Sequence, residues 1–315
     1  MYTNENRYNF FKVMPETSKF TPQLTDDGSY TFFSTEFGEA FHSMQGAKAE
    51  ALQKFVEPCQ LAEKAQQPVL RIIDVCYGLG YNTAAALEVI WQHNPNCYVE
   101  LVGLELDLTV PRTANSQNLV SSWSQPIPEL LENLATSLEV QTNHFHGKLI
   151  IGDARTTIQK LQQSNFQADA IFLDPFSPPH CPQLWTREFI QLVANCCAKT
   201  GRIATYSCAA AARTALLEAG LKISPIIPLG SRQPGTLASF TDTDLPPLCK
   251  KAQEHLQTRA AVPYRDPQLS DPAQIILQRR KTEQQDSYLE PTSHWQKRWS
   301  RENILKERLI NIANL

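Results

Sequence analysis

The sequence predicts an α/β fold with a mostly parallel, doubly wound sheet, an N-terminal β/α addition and a C-terminal tail. Three observations lead to this prediction. Apolar, β-rich runs alternate with helical patterns over residues 68–240, an order typical of a parallel sheet with helices on both faces. A glycine-containing segment joins the first run to the first helix. Carboxylates follow several of the runs, at the sheet edge where active sites of this fold lie.

The elements of this fold follow in order along the chain. Five strands are predicted at residues 69–75, 98–104, 148–151, 170–173 and 202–206. Helices are predicted at residues 82–91, 108–119, 154–163, 186–198 and 209–219. A strand at 29–33 and a helix at 47–55 precede them, residues 123–138 are a proline-punctuated insertion, and the proline-rich stretch 225–272 is predicted to be extended and loop-rich. The predicted division is an N-terminal extension (1–62), a central domain (63–240) and a proline-rich linker with a basic tail (241–315).

Composition places the protein among cytoplasmic globular proteins. An apolar fraction of 42% and a charged fraction of 19% exclude wholesale disorder. No apolar run reaches the ~18 residues of a membrane helix, and no signal peptide is recognised. The 8 cysteines include no Cys-x-x-Cys pair, which favours reduced thiols, and no histidine–cysteine group has the spacing of a metal site. We therefore expect no membrane association and no metal, and the sequence leaves the oligomeric state open.

The charge is divided unevenly along the chain. The net charge of -3 by itself gives no sign of a nucleic-acid partner. From residue 250 onward, however, 12 basic and 8 acidic residues give a net charge of about +4, so the preceding part carries about -7. The tail is either a nucleic-acid contact or a solvated amphipathic helix packed on the body. Its aromatic and basic residues are Trp295, Lys297, Arg298, Trp299 and Arg301.

The strongest local motif covers residues 74–82, DVCYGLGYN, between the first strand and its helix. Gly78 and Gly80 permit a tight turn and the close approach of a ligand to the backbone. Thr83 stands where the dinucleotide fingerprint needs glycine, which disfavours a nicotinamide oxidoreductase. An acidic residue, Asp74, followed by such a loop is typical of enzymes that bind S-adenosylmethionine. A purely structural turn is the alternative.

Two further strands end in acidic residues. Glu105 could accept the ribose hydroxyls of a nucleoside cofactor. Asp153 could accept the adenine amino group beside Ala154, or it could simply cap the following helix. Asp107 is a second ribose candidate, for which helix capping is favoured. With the glycine loop, these positions predict a Rossmann-like class I S-adenosylmethionine-dependent methyltransferase.

The fourth strand ends in the sequence FLDPFSPP, residues 172–179. It delivers Asp174 into a proline-stiffened loop, and Phe176 offers a face for a planar base. A carboxylate and a backbone carbonyl can hold an amine so that its lone pair points at a methyl group. The alternative is a turn closed by an Asx-type hydrogen bond.

These motifs together resemble the MnmC-like methyltransferases that complete 5-methylaminomethyl-2-thiouridine at the tRNA wobble position. The matching segments are residues 27–43, 74–82, 172–186 and 201–223. Two departures stand out: Cys76 replaces the first glycine of the family's triplet, and the tail fits no FAD oxidase domain. The resemblance therefore implies a stand-alone form that uses S-adenosylmethionine, without FAD or metal, and acts on tRNA in the cytoplasm.

The resemblance also implies residue roles. Asp174 and Phe176 would be catalytic, with His42 and Ser43 closing over cofactor or substrate, or merely packing. The expected cofactor residues are Asp74, Tyr77, Gly78, Gly80, Asn82, Glu105, Asp153, Ala154 and Asp174. The remaining expected substrate contacts are Pro175, Arg279, Arg280, Lys297 and Arg298.

The reaction expected from this resemblance is transfer of a methyl group to a primary amine oriented by Asp174. An ordinary aspartate is too acidic to be a strong base for an amine. Proximity and alignment would then supply most of the rate. Two alternatives remain: a methyl- or aminopropyltransferase for small amines, and a non-catalytic tRNA-binding factor that retains the fold.

Overall fold

The computed structural model describes residues 20–227, 234–241 and 244–301. The ends of the predicted extension and tail, residues 1–19 and 302–315, lie outside these ranges, and the predicted division into three parts stays a prediction. The strands in these ranges are β1 Gln23–Leu24, β2 Tyr30–Thr31, β3 Phe33–Ser34, β4 Glu39–Ala40, β5 Val69–Val75, β6 Tyr98–Glu105, β7 Glu139–Gln141, β8 Phe145–Ile151, β9 Ala168–Leu173, β10 Cys197–Thr205, β11 Lys222–Ile226 and β12 Gly235–Ser239.

Helices cover both faces of the sheet. They are α1 Ala47–Ala51, continued by a π-helical turn Leu52–Val56, α2 Leu61–Lys64, α3 Tyr81–His93, α4 Thr109–Ser116, α5 Ile127–Ser137, α6 Ala154–Gln163, α7 Arg187–Asn195, α8 Ala210–Glu218, α9 Lys250–His255 and α10 Ala273–Asp286. Short 3-10 turns occur at Pro182–Trp185 and Arg259–Ala261, and residues 292–301 are helical.

The predicted doubly wound sheet is confirmed. Eight of the described strands pair in the order β11-β12-β10-β9-β5-β6-β8-β7. The pairs among β10, β9, β5, β6 and β8 are all parallel. Central strand β5 is buried on both faces: Leu70 and Ile72 join the core under α1–α5, whereas Ile73 and Val75 join the core under α6–α8. This alternation follows from the two-residue repeat of a strand.

Some predicted boundaries were wrong. The proline-punctuated insertion at 123–138, for which no element was predicted, contains α5, whose prolines lie at its first turn, where no backbone N–H is needed. Three of its leucines, at positions 130, 131 and 134, are buried. The helix predicted to reach residue 198 ends at Asn195, since Cys197 already begins β10. The third parallel strand begins at Phe145 rather than at residue 148.

The edges of the sheet are antiparallel, which the sequence did not predict. Strand β7 pairs antiparallel with β8, and β12 pairs antiparallel with both β10 and β11. Strand β12, GTLAS, is fully buried although it has few β-branched or aromatic residues. Its partners on either side, rather than its own propensity, hold it in the sheet.

The segment after residue 244 packs on the body instead of running as a free linker. Ile276 of α10 is fully buried in the core under α6–α8, and Trp295 is 5% exposed. Within the described ranges, every helix is too short or too polar to cross a lipid bilayer.

Candidate active site

A cavity of ≈ 760 Å³ opens at the carboxyl ends of the parallel strands. Its volume lies in the usual range of small-molecule sites. Its walls include residues 105–107 after β6, residues 174–177 after β9, and residues 33–45 around β3 and β4. Nine of the predicted site residues line it: His42, Ser43, Tyr77, Gly78, Asn82, Glu105, Asp174, Pro175 and Phe176.

The glycine loop after β5 turns sharply. Cys76, Gly78 and Gly80 adopt left-handed backbone conformations, with φ of +66°, +58° and +86°. A Cβ atom at Gly80 would lie 2.7 Å from the hydroxyl of Tyr77, so glycine is needed there. A Cβ atom at Gly78 would meet nothing nearer than 3.6 Å, on Phe41, so this stretch of backbone is open to the cavity. Cys76 accepts the conformation at the strain cost of a non-glycine residue.

Glu105 connects this loop to the end of β6. Its Oε2 atom accepts the backbone N–H of Gly78 at 2.8 Å, and its Oε1 atom accepts that of Asp107 at 2.8 Å. Burial raises the pKa of Glu105, and these backbone donors oppose the rise. Each carboxylate oxygen can accept a further donor. Asp107 accepts the N–H of Thr109 at 2.9 Å at the start of α4, in agreement with the helix-start alternative.

Asp74 lies beneath the loop and does not line the cavity. Its side chain is completely buried, and its Oδ2 atom accepts a hydrogen bond from the Thr83 hydroxyl at 2.8 Å. Burial raises the pKa of Asp74 to about 7, although the Thr83 hydrogen bond opposes the rise. Asp74 therefore supports the loop from below, and its predicted role in cofactor binding stays a prediction.

Asp174 is fixed at the cavity wall directly after β9. Its backbone N–H donates to the carbonyl of Val75 at 3.2 Å, which continues the pairing with β5. Its Oδ2 atom accepts the side-chain N–H of Asn82 at 2.8 Å, from the first turn of α3. Burial raises the pKa of Asp174 well above the ordinary value, and the nearby negative charge of Glu50 adds to the rise. This carboxyl group is a stronger base than the sequence alone suggested.

The two residues after Asp174 are also held in place. The hydroxyl of Tyr206 donates to the carbonyl of Pro175 at 2.8 Å, and Trp185 donates to the carbonyl of Phe176 at 2.8 Å. The Phe176 ring stacks on Phe37 with ring centres 4.5 Å apart. One face of Phe176 is therefore covered by protein, so a substrate base has access only to the rest of the ring.

Residues near the N-terminus form the opposite wall. Glu39 of β4 accepts the backbone N–H of Ser177 at 2.9 Å and contacts His180 at 2.8 Å, which docks the strand pair on the loop after β9. His42 is neutral near pH 7, because burial lowers its pKa to about 4. The backbone N–H of Ser43 donates to Glu50 at 2.7 Å.

Four residues that line the cavity were missed by the sequence reasoning: Glu39, Glu50, Lys54 and Tyr206. Glu50 and Lys54 form an ion pair of 3.1 Å with only 14% and 12% of their side chains exposed. Their i,i+4 spacing is common on solvated helix faces, so the sequence carried no signal for a buried pair. Their importance comes from the fold, which places α1 against the cavity.

Asp153 and Ala154 lie outside the cavity wall. Asp153 caps α6 by accepting the N–H of Arg155 at 2.9 Å, and its Oδ2 atom pairs with the Arg155 side chain at 2.6 Å. Arg155 also pairs with the fully buried Asp266 at 2.8 Å. This geometry agrees with the capping alternative, and the role of Asp153 toward adenine stays a prediction.

The basic residues predicted to contact substrate also lie away from the cavity wall. Lys297 is exposed, whereas the three arginines are engaged within the C-terminal segment. Trp295 stacks on His255 with ring centres 4.4 Å apart, in agreement with the packed-helix alternative. The arginine contacts are Arg279 with Asp271 at 2.6 Å, Arg280 with the carbonyl of Val262 at 2.7 Å, and Arg298 with Glu254 at 2.6 Å and Glu290 at 3.0 Å.

The cavity has the chemistry that S-adenosylmethionine requires. Among the described residues, its wall holds one lysine, Lys54, and six carboxylates: Glu36, Glu39, Glu50, Glu105, Asp107 and Asp174. A negative wall suits a sulfonium and an amino-acid ammonium. The Oδ1 atom of Asn82 is buried without a hydrogen-bond partner in the described ranges, and the Gly78 backbone is open. Across these same ranges, no cluster of three potential metal ligands occurs.

Comparisons with known proteins define the class of this protein. A family model described as S-adenosyl-L-methionine-dependent methyltransferase matches residues 113–241. With the doubly wound sheet and the glycine loop, this match defines a Rossmann-like class I methyltransferase. The crystal structure of MnmC2 from Aquifex aeolicus is 33% identical, covers 87% of each chain and has a TM-score of 0.75. The chain belongs to the MnmC2 family.

Sequence relatives point the same way. A protein of Methanocaldococcus jannaschii without an assigned function is 28% identical over 92% of this chain and 74% of its own length. The tRNA 5-methylaminomethyl-2-thiouridine biosynthesis bifunctional protein MnmC of Paracidovorax citrulli is 31% identical over 67% of this chain. That of an Acidovorax species is 28% identical over 64%. The chain spans about a third of the length of these bifunctional relatives, 34% and 32%. The resemblance recognised in the sequence is confirmed.

Proposed function

We propose that this protein transfers a methyl group from S-adenosylmethionine to the primary amine of 5-aminomethyl-2-thiouridine at the tRNA wobble position. The observation that carries the proposal is the position of Asp174, whose carboxyl group is held by Asn82 in the lining of a cavity rich in carboxylates. The name of the MnmC relatives supports the choice of this nucleoside. The reaction would take place in the cytoplasm, where tRNA is available.

Asp174 and the carbonyl of Pro175 would hold the substrate amine. The Asp174 carboxylate accepts one N–H bond while Asn82 keeps it oriented. The Pro175 carbonyl is fixed by Tyr206 and retains a second lone pair for another N–H of the amine. Two such acceptors would leave the nitrogen lone pair directed at the methyl group, which the bound cofactor supplies in activated form on its sulfonium.

An alkylammonium has no lone pair, so the amine must lose a proton before it attacks. Its proton would pass to Asp174. An unperturbed aspartate with a pKa near 4 is a poor acceptor. Burial raises the pKa of Asp174, which makes the transfer less unfavourable near neutral pH. Alignment within a closed cavity supplies the rest of the acceleration.

The cofactor would lie along the glycine loop. The open backbone at Gly78, the carboxylate of Glu105 and the unpartnered Oδ1 atom of Asn82 suit the ammonium and hydroxyl groups of S-adenosylmethionine. The accessible part of the Phe176 ring would border the substrate base. These roles require no metal and no FAD.

Contact with the rest of the tRNA is proposed for the basic tail. Lys297 and Arg301 are exposed, on the helical segment 292–301. Replacing both by Ala should weaken tRNA binding and reduce the slope of log K against log salt by about 1 for each lost phosphate contact. An unchanged affinity and slope would exclude these two residues from the tRNA interface.

The negative cavity also favours a second candidate, methyl or aminopropyl transfer to a small polyamine. Six carboxylates and one lysine at the wall would hold a flexible polycation as well as a tethered amine. The two candidates differ in whether RNA is needed. Incubation with labelled cofactor and either bulk tRNA or spermidine separates them, because only one of the two substrates becomes labelled.

The decisive experiment is nucleoside mass spectrometry of tRNA from cells with and without this protein. We expect 5-aminomethyl-2-thiouridine to accumulate without it, and addition of protein and cofactor to convert this nucleoside to the methylated form. Asp174→Asn should lower the rate roughly 10²- to 10⁴-fold, with cofactor affinity by calorimetry nearly unchanged. Equal loss of cofactor binding would contradict the role given to Asp174. Full cofactor binding without any turnover would favour a non-catalytic tRNA-binding factor.

A further inference from the structure

Glu50 and Lys54 form a largely buried ion pair that lines the same cavity as Asp174. The backbone N–H of Ser43 donates to Oε2 of Glu50 at 2.7 Å, and Nζ of Lys54 lies 3.1 Å from Oε1. Both carboxylate oxygens are therefore held. This order is unusual for a surface helix, where long charged side chains remain mobile.

The backbone beside this pair is also irregular. Helix α1 changes to a π-helical turn at Leu52, between the two charged residues, and the N–H of Glu57 donates to the carbonyl of Leu52 at 2.9 Å. Single π-turns within helices occur frequently at functional sites. The irregular turn begins between Glu50 and Lys54 and contains Lys54, and both side chains reach the cavity wall.

Several elements present charged or titratable groups to Asp174. Glu50 and Lys54 act from α1 and its π-turn, and Asp74 acts from the end of β5. Asn82 donates a hydrogen bond from α3. The phenol of Tyr206, after β10, and the thiol of Cys76, in the glycine loop, feel the Asp174 charge in turn. Of the charged groups acting on Asp174, Glu50 has the largest effect, and Lys54 acts in the opposite direction.

We propose that the Glu50–Lys54 pair is a positioning device for Asp174: the Glu50 charge makes Asp174 the proton acceptor for a substrate ammonium, and Lys54 limits this effect. The inference rests on the proposed function and names the substrate form that the cavity selects, a protonated primary amine. Neither residue needs to touch the reacting nitrogen. Their effect reaches the reaction through the protonation of Asp174.

Proton transfer to Asp174 precedes methyl transfer. The N–H bond of the ammonium breaks, its electron pair stays on nitrogen, and the proton forms an O–H bond on the Asp174 carboxylate. The neutral amine then forms the C–N bond as the S–C bond of the methyl donor breaks, and the secondary ammonium product carries the positive charge. The negative charge of Glu50 favours the protonated form of Asp174 by repulsion.

Three variants test this arrangement. Glu50→Gln removes the charge and keeps an acceptor for the Ser43 N–H, Lys54→Met removes the opposing cation, and Lys54→Arg retains it. Glu57→Gln is the matched control, since Glu57 is exposed at the end of the same turn. Nuclear magnetic resonance of ¹³C-aspartate-labelled protein would follow the Asp174 carboxyl through a pH titration, with Asp174→Asn identifying its signal.

We expect the Asp174 midpoint to move to lower pH in Glu50→Gln and to higher pH in Lys54→Met. Lys54→Arg and Glu57→Gln should leave it near the wild-type value. The acid limb of the methylation rate should move in the same directions. A general loss of packing would not move two midpoints in opposite directions, and a melting curve with cofactor would identify any variant that fails to fold.

The titration needs no tRNA, so it separates this inference from the proposed function. Equal midpoints in wild type and Glu50→Gln would overturn the inference whatever the substrate is; if Glu50→Gln is unfolded, a Lys54→Met midpoint that stays in place or falls does the same. Midpoints that move as expected, in a protein that methylates no tRNA, would support the device and reject the proposed substrate.

Discussion

The carboxyl group of Asp74 makes folding stability depend on pH in a way that one substitution can isolate. It is completely buried at the end of β5, and burial raises its pKa from 3.8 to about 7. Asp74→Asn removes the titration while keeping an oxygen that can accept from Thr83. The amide also places two N–H donors where the protonated carboxyl has one O–H. The free-energy cost of burying the additional donor is the same at every pH.

The sign and size of the change in the free energy of unfolding with pH follow from proton linkage. Between pH 3.8 and about 7, the folded protein keeps the Asp74 proton and the unfolded chain loses it. The folded state therefore binds more protons, and the free energy of unfolding decreases as pH rises. This stabilising contribution is complete below pH 3.8 and is lost as pH rises through about 7. At 1.36 kcal/mol per pKa unit, the difference between a pKa of 3.8 and one of about 7 changes the free energy of unfolding by about 4 kcal/mol.

Urea unfolding of wild type and Asp74→Asn at several pH values between 4 and 8 measures this contribution. Glu105 and Asp174 also have raised pKa values, but they titrate in both proteins and largely cancel in the difference. The variant should gain about 4 kcal/mol relative to wild type across the window. Asp286→Asn, at an exposed position at the end of α10, should give a flat difference. Parallel stability curves for wild type and Asp74→Asn would refute the reasoning.

Three further predictions follow from the contacts around the cavity. Gly80→Ala should lower the free energy of unfolding by about 2 kcal/mol, because φ is +86° and the new Cβ atom lies 2.7 Å from the Tyr77 hydroxyl; thermal unfolding measures this, and an unchanged melting temperature would contradict it. Glu39→Ala should speed amide hydrogen exchange in β3 and β4 but not in β9, since it removes their attachment to the loop after β9; equal exchange would show that other contacts hold the wall. Arg155→Met should cost about 3 kcal/mol in urea unfolding, because it leaves Asp266 buried without its cation; Asp266→Asn in the same chain should recover part of the loss.

The sequence predicted the parts of the fold that depend on local pattern. Strand β5 and helix α6 occupy the predicted residues, since an unbroken apolar run and a capped amphipathic repeat identify themselves without their neighbours. The antiparallel strand β12 was missed because its sequence, GTLAS, carries almost no strand signal, and only β10 and β11 on either side place it in the sheet. Helix α5 was missed because its prolines suggested an insertion without a regular element, although they occupy the first turn.

Some residues of the candidate site were likewise predictable from local sequence pattern, whereas others reach the site only through tertiary packing. The glycine loop, Glu105 and Asp174 stand directly after strands, so the sequence alone located them at one sheet edge. Glu39 and Glu50 come from the N-terminal part of the chain, and only tertiary packing brings them to that edge. Burial is likewise a property of the folded state.

The sequence by itself determined the class of sheet, the family and the position of the Asp174 carboxylate at the sheet edge, because each depends on residues that are close together in the chain. Only the tertiary structure decided how basic that carboxylate is, which charges surround it, and that the arginines of the tail are paired within the C-terminal segment. The physical reason is that desolvation and Coulomb interactions depend on distances in space, and residues 50 and 174 come to line one cavity only when the chain folds.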